Sequence, residues 1–279
     1  MIDLHLHTTA SDGALAPPDL VLRARAAGLS IISITDHDTT TGVDAARAAA
    51  SNAGVELIPG IEMTAVEEGR DTHVLGYFLD TASSPLQAFL DRQRADRRRR
   101  IHEMRDRLAA LGCPIDVDPI LDDAARGRSV GRPQIAGALL KAGHVRTRDE
   151  AFDRFLEFGG PAYVPRAGTS AREIVRLIHE AGGIASLAHP GLSSRDHLIA
   201  ALAATGLDAI EARHAEHDPA TEARYRKLAA DLGLAVTGGS DFHSDAAGHR
   251  VSRLGAITLP APDLERLRIV ADRRRASQR

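Results

Sequence analysis

The chain has 279 residues, 43% of them hydrophobic and 26% charged, with a formal net charge of −3. That is the composition of an ordinary water-soluble globular protein, long enough for one large α/β domain or two small ones. A single cysteine, Cys113, excludes an internal disulfide framework and a cysteine-built zinc site, and no apolar run approaches the roughly 20 residues of a membrane span. With no secretory signal at its start, the chain is expected to be cytoplasmic and free of membranes. Its charge is uneven: residues 1–80 carry 4 basic and 12 acidic side chains, and residues 81–166 carry 16 and 12. An acidic first part suits cations, and a basic middle suits an anionic substrate.

The opening stretch, Ile2 to Gly13, reads as a strand and a tight turn. Alternation puts Ile2, Leu4 and Leu6 on an apolar face and Asp3, His5 and His7 on the other, where two imidazoles reach one metal ion and Asp12 offers an oxygen to a neighbouring one. Pro17-Pro18-Asp19 begins a helix that ends at Gly28. Ile31 to Thr35 is then a buried strand ending in Asp36-His37-Asp38, so a βαβ unit brings His37 beside Asp12. A helix from Gly42 to Asn52 leads to a strand, Val55 to Met63, that carries Glu62, and the next strand, Thr72 to Phe78, carries His73. A glutamate among apolar neighbours is costly to bury, so Glu62 either meets a cation or faces solvent.

The pattern changes at about residue 81. Leu86, Phe89, Leu90, Ile101, Met104, Leu108 and Leu111 follow helical spacing, which predicts a long amphipathic helix whose run Arg97 to Arg100 is a solvated face or, alternatively, a wall guiding RNA phosphates. Short helices and turns follow from Asp116 to Pro165. Residues 81–166 are therefore read as a helical insertion between barrel segments 1–80 and 167–279. After it the βα rhythm resumes, with strands ending in His189, in His214 and His217, and in Asp241 and His243. Leu254 to Leu259 is expected to be a closing strand, 262–275 a final helix, and the Arg273 to Arg275 end a disordered tail.

His5, His7, Asp12, His37, Glu62, His73, His189, Asp241 and His243 thus gather at strand ends, which form one face in a closed α/β barrel. Nine potential ligands suit two or three ions. Six stretches in order, DLHLHTTASDG at 3–13, ITDHDT at 34–39, PGIEMT at 59–64, THVLGY at 72–77, AHPG at 188–191 and GSDFH at 239–243, resemble the PHP (polymerase and histidinol phosphatase) family of metal-dependent phosphoesterases. The resemblance implies a distorted, TIM-like (β/α)7 barrel capped by the insertion. It implies two or three divalent ions, manganese first and zinc or iron as alternatives. His5, His7, Glu62 and Asp241 would hold the first, Glu62, His73 and His189 the second, and Asp12, His37 and His243 the third. The implied chemistry is phosphate ester hydrolysis by a metal-activated hydroxide.

The insertion resembles the branch that acts on nucleoside 3′,5′-bisphosphates or trims short RNA from its 5′ end, through Gly131-Arg132-Pro133 and the PAYVPR stretch at 161–166. Arg132 is the expected phosphate clamp, with Ser129 nearby. Gln134, where that branch commonly has His, and Leu192, where it often has Arg, depart from the pattern. His214 and His217 resemble the histidine-bearing loop of other phosphoesterases in the family, so a different small phosphate monoester or a cyclic phosphodiester is the alternative substrate, with these two histidines touching it. A non-catalytic metal- or nucleotide-binding module is the alternative outside enzymes. A small nucleotide or short RNA is the expected partner, with no stable protein partner.

Overall fold

The computed structural model describes residues 1–193, 195–244 and 253–277. Strand β1 (Ile2–Leu6), helix α1 (Pro17–Ala26), β2 (Ile31–Ile34), α2 (Thr41–Ala53) and β3 (Glu56–Glu67) form two successive βαβ crossovers of a parallel sheet, β1 beside β2 and β2 beside β3. The sequence punctuates them as expected. Pro17 opens α1, where a missing amide proton costs nothing, and Gly54 closes α2 in the left-handed conformation, φ 64°.

Strand β4 (Arg70–Tyr77) departs from the expected alternation. No helix joins it to β3. Glu68 and Gly69, both at positive φ (50° and 77°), form a two-residue turn that folds β4 back antiparallel to β3. The first four residues of β3 pair in parallel with β2, and from Gly60 onward it pairs antiparallel with β4. Gly60 sits where the sheet changes hands, and a Cβ there would lie 2.1 Å from the Ser33 hydroxyl, so only glycine lets the strands approach.

The insertion contains α3 (Ser84–Ala110), α4 (Asp118–Ala125), α5 (Arg132–Lys141), α6 (Arg148–Ala151) and a π-helical turn Phe152–Leu156. Its residues from Ile101 to Val164 bury an apolar cluster of their own. After α7 (Ala171–Glu180) come β5 (Ile184–Leu187), the short α8 (Pro190–Ser193), α9 (His197–Ala204), β6 (Ala209–His214), α10 (Pro219–Asp231), β7 (Ala235–Gly239) and α11 (Ala261–Ser277). The seven strands lie side by side in chain order, and a bridge from Leu6 to Phe242 brings the last strand's end back to the first. The result is the expected distorted seven-stranded barrel, nearly closed.

Three expectations are corrected. Leu254 to Leu259 is turn and coil rather than strand; only the Leu259 amide reaches β1, donating to the Ile2 carbonyl at 2.9 Å. The basic end is ordered helix through Ser277, because the Arg274 guanidinium is drawn to the buried carboxylate of Asp208. The arginine run does not form one solvated face. Arg98 and Arg99 are exposed, whereas Arg97 and Arg100, three residues apart and so on one side of the helix, are buried at 5% and 1% exposure.

Candidate metal centre and the cavity above it

Alternation along β1 turns His5 and His7 to the same side, and both are fully buried. Their Nε2 atoms face each other at 3.1 Å. The Asp241 Oδ1 lies 3.4 Å from the first and 3.1 Å from the second, and Glu62 Oε2 lies 3.5 and 3.3 Å away. Glu62 is the hub of the whole cluster. It sits inside β3 rather than at a strand end, and its other oxygen lies 2.8 Å from His73 Nδ1 and 3.1 Å from His189 Nε2, while His37 Nδ1 is 3.1 Å from Oε2. The hairpin explains His73: a strand running backwards delivers its beginning, not its end, to this edge, opposite Thr64.

A third group surrounds Asp12. His243 Nε2 stands 3.3 Å from its Oδ1, His7 Nδ1 3.6 Å from the same atom, and His37 Nε2 3.8 Å from Oδ2. Three compact donor sets result: His5, His7 and Asp241; His37, Glu62 and His73; and His7, Asp12, His37 and His243. All nine residues named from the sequence are thus brought together, with His7 and His37 shared between sets and His189 reaching the second set through Glu62.

This chemistry fits divalent cations. Burial opposes charge on Glu62, yet the imidazoles of His37, His73 and His5 and the hydrogen bond from His189 hold its carboxyl well below the usual range; Asp12 and Asp241 are held low by their own histidines in the same way. Burial pushes His37 down to about 3 and also lowers His189, which favours neutral imidazole at these two, whereas against burial the neighbouring carboxylates raise His5, His7 and His243, so that a bound cation would take the place of protons there. The Nδ1 atoms of His7, His37 and His73 are buried with no hydrogen-bond partner. Imidazole and carboxylate groups packed this closely, with buried ring nitrogens left over, suit a cation. Backbone strain concentrates here as well, with Asp38, His189 and Asp241 at φ 49°, 24° and 51°.

Several residues that sequence reasoning did not single out complete the centre. Glu211, buried on β6, accepts the Nδ1 proton of His5 at 2.9 Å and the His189 amide at 2.8 Å. Asp3 accepts the amides of His5 and Ser240, and burial raises its carboxyl to about 6. Asp36 ties the turn that bears Asp12 by accepting from the Thr8 amide and hydroxyl and from Ser11. The signal for Glu211 was the one used for Glu62: a glutamate inside an apolar strand.

A cavity of about 510 Å³ opens over the cluster, between the barrel and the insertion. Its wall holds five guanidiniums, those of Arg97, Arg100, Arg132, Arg148 and Arg166, and besides the cluster's own carboxylates those of Asp71, Asp149, Asp153 and Glu157. Arg97 grips Asp38 and the Val130 carbonyl, and Arg166 spans Asp38 and Asp71 at 3.5 and 3.3 Å. Arg132 donates to Asp71 at 3.0 Å, and Arg100, among the described residues, gives only its Nε proton, to the Val164 carbonyl. Arg97, Arg132 and Arg166 thus share the carboxylates of Asp38 and Asp71. Burial, with Arg166 and Arg97 close by, drives the Arg100 guanidinium down to about 9, and Asp71, despite burial, is held near 2 by Arg166 and Arg132. The Ser129 hydroxyl lines the same cavity with no partner.

His214 and His217 lie elsewhere. His214 is buried behind Asp241, accepting the Glu216 amide on Nδ1 and facing Asp241 Oδ2 at 3.4 Å with Nε2. His217 donates from Nδ1 to the Ala212 carbonyl and accepts the Gly191 amide on Nε2. Both rings are committed inside the protein. Gln134, the departure noted above, caps α5 by accepting the Gly131 amide and donates to the Ser11 carbonyl.

A barrel edge that gathers six imidazoles and three carboxylates under a cation-lined cavity defines a metal-dependent hydrolase of anionic substrates. The chain belongs to the PHP family, whose domain model matches residues 3–145. It is 36% identical over 266 residues to the 5′-3′ exoribonuclease Rnm of Salmonella typhimurium, covering 93% of this chain and 90% of that one. It is 33% identical to the 3′,5′-nucleoside bisphosphate phosphatase of Chromobacterium violaceum, covering 89% of each. A solved structure of a proposed metal-dependent phosphoesterase from Bifidobacterium adolescentis superposes with a TM-score of 0.86 at 34% identity, covering 96% of both chains. The protein is a metal-dependent phosphoesterase that uses divalent metal.

Proposed function

We propose that this phosphoesterase hydrolyses a phosphate ester of a nucleoside 3′,5′-bisphosphate or of a short 5′-phosphorylated oligoribonucleotide. The observation that carries the reading is Arg100, whose buried guanidinium lines the cavity and bonds a backbone carbonyl rather than a carboxylate, beside Arg97, Arg132 and Arg166, which share Asp38 and Asp71. A buried cation without its own counterion is costly, and a substrate bearing a second phosphate, out of reach of the metal centre, removes that cost. Arg132 and Arg100 are the clamp, and the unpartnered Ser129 hydroxyl is a further donor.

His5, His7, Glu62 and Asp241 are assigned to the first ion, Glu62, His73 and His189 to the second, and Asp12, His37 and His243 to the third, with manganese as the first candidate and zinc or iron next. When bound, such ions polarise phosphoryl oxygens and make hydroxide available near neutral pH. The chain's own residues orient the ester. Arg97 and Arg166 are anchored through Asp38 and Asp71, so the cavity wall is fixed before substrate arrives. Residues 81–166 act as a cap over the barrel, in a protein we place in the cytoplasm. The alternative of a cyclic phosphodiester or another small metabolite draws no support from His214 and His217, whose ring nitrogens are already engaged.

The test is hydrolysis with and without Mn²⁺ of a nucleoside 3′,5′-bisphosphate and p-nitrophenyl phosphate, read as phosphate release, and of a 5′-phosphorylated triadenylate, read as release of adenosine monophosphate. Catalytic efficiency on the first two should exceed that on the third by at least two orders of magnitude. Equal efficiency on all three would refute the nucleotide assignment, and no metal-dependent release from any would refute hydrolysis.

A further inference from the structure

Aromatic residues are scarce in this chain, six Phe and three Tyr, yet Phe152, Phe155, Phe158 and Tyr163 fall within one short stretch of the insertion. Phe152 and Glu157 line the cavity, and the next residue, Phe158, is 55% exposed and outside the insertion's apolar cluster. Its ring meets Tyr163 edge to face, with centroids 5.5 Å apart, and the Arg70 guanidinium lies 5.0 Å from its centre. Arg132 continues the series inward, 5.6 Å over Tyr163 and 6.0 Å over Phe152. A run of π faces and guanidiniums therefore leads from the cavity to its rim.

Folding does not account for the outer end of this run. An exposed phenylalanine contributes little burial, and Arg70, exposed on the β3–β4 hairpin, has no ion pair among the described residues. We infer that Phe158, with Arg70 and Tyr163, is a stacking site for the nucleobase that follows the reacting nucleotide, which makes single-stranded oligonucleotide the substrate class within the phosphoesterase reading on which this rests. Aromatic faces and arginine planes accept any base, independent of sequence. Charge supports a base here over a phosphate. Asp149, Asp153 and Glu157 line the same cavity, so that a neutral base plane on this side meets less repulsion than a phosphate would.

The experiment is calorimetric binding, in EDTA so that no hydrolysis occurs, of adenosine 5′-monophosphate, 5′-phosphorylated diadenylate and 5′-phosphorylated triadenylate to the full chain. Wild-type protein should gain about tenfold in affinity between the first ligand and the second. Phe158→Ala should remove that step, Phe158→Trp should keep it, and Arg70→Ala should reduce it. A wild-type protein without the step, or a Phe158→Ala variant that retains it, overturns the inference, as does a change of oligomeric state on Phe158→Ala, which would make the ring a contact between copies. Hydrolysis is read separately, so its loss with the step intact refutes the phosphoesterase substrate reading and not the stacking site.

Discussion

Glu211 and His5 form a buried pair in which the carboxylate fixes the imidazole: Oε1 accepts from Nδ1 at 2.9 Å, and this turns Nε2 toward His7. Burial opposes the charge on Glu211, but His5 holds its carboxyl below the usual range, so it can only accept. The same group caps the His189 amide. Glu211→Gln should therefore lower divalent metal affinity about 10- to 100-fold, as second-sphere partners of metal-binding histidines do. Titration of the apo protein with Mn²⁺ reads this directly, and unchanged affinity would show that His5 needs no such support.

Glu62 is the atom-sharing residue of the centre, placed between His5, His7, His37, His73 and His189. Glu62→Ala should remove at least one bound ion per chain and lower kcat on the order of 10³-fold or more. Asp241→Ala should behave alike. Elemental analysis of the purified variants checks the first part, and a variant with full metal content and full activity would overturn the ligand assignment.

Arg100 presents a conflict between stability and function. It is buried at 1% exposure with no carboxylate partner of its own, so Arg100→Met should stabilise the fold by about 1 kcal/mol, raising Tm by about 2–4 °C, while weakening catalytic efficiency on a nucleoside bisphosphate. Arg132→Ala should cost about 1.5–3 kcal/mol in kcat/KM on the same substrate and little on p-nitrophenyl phosphate. Equal losses on both esters would argue that these arginines shape the fold instead.

Asp208 links the end of α11 to the barrel through Arg274, and it also accepts from His179 and the Ala185 amide. Burial works against its charge, but the His179 bond, the Ala185 amide and Arg274 depress its pKa. A depressed carboxyl contributes stability that is full above its unfolded value, about 3.9, and is lost as pH falls through the lower folded value. Urea melts should show this contribution at pH 5–7 and its decline below pH 4, and Asp208→Asn should cost about 1–3 kcal/mol at pH 6 while flattening the acid limb. A variant with the wild-type acid profile would remove Asp208 from the account.

The nine donors were legible because each stands at a break in an apolar strand, where a polar residue has no packing reason to be. The barrel followed from their recurrence between helices. The hairpin was not legible, since Glu68-Gly69 is too short to stand out between two strands that each look like barrel members. Arg97 and Arg100 were hidden by their own neighbours: Arg98 and Arg99 belong to solvent, and a four-residue run reads as one surface. Yet Leu86, Leu90, Gln93, Arg97, Arg100, Met104 and Leu108 occupy one buried stripe, so the apolar period itself marked the two that turn inward. The roles expected of His214 and His217 assumed free rings, and backbone bonds to them cannot be read from residue types.

The turn of residues 8–13 also answers to the far side of the cavity. The Ser129 amide donates to the Ala10 carbonyl, the Gln134 amide to that of Ser11, and Arg128 to that of Thr9. Three tethers thus run from residues 128–134 to the loop that holds Asp12 in place. A ligand that drew residues 128–134 toward the barrel would therefore firm the position of Asp12, and by thermodynamic reciprocity a cation on Asp12 would favour that ligand.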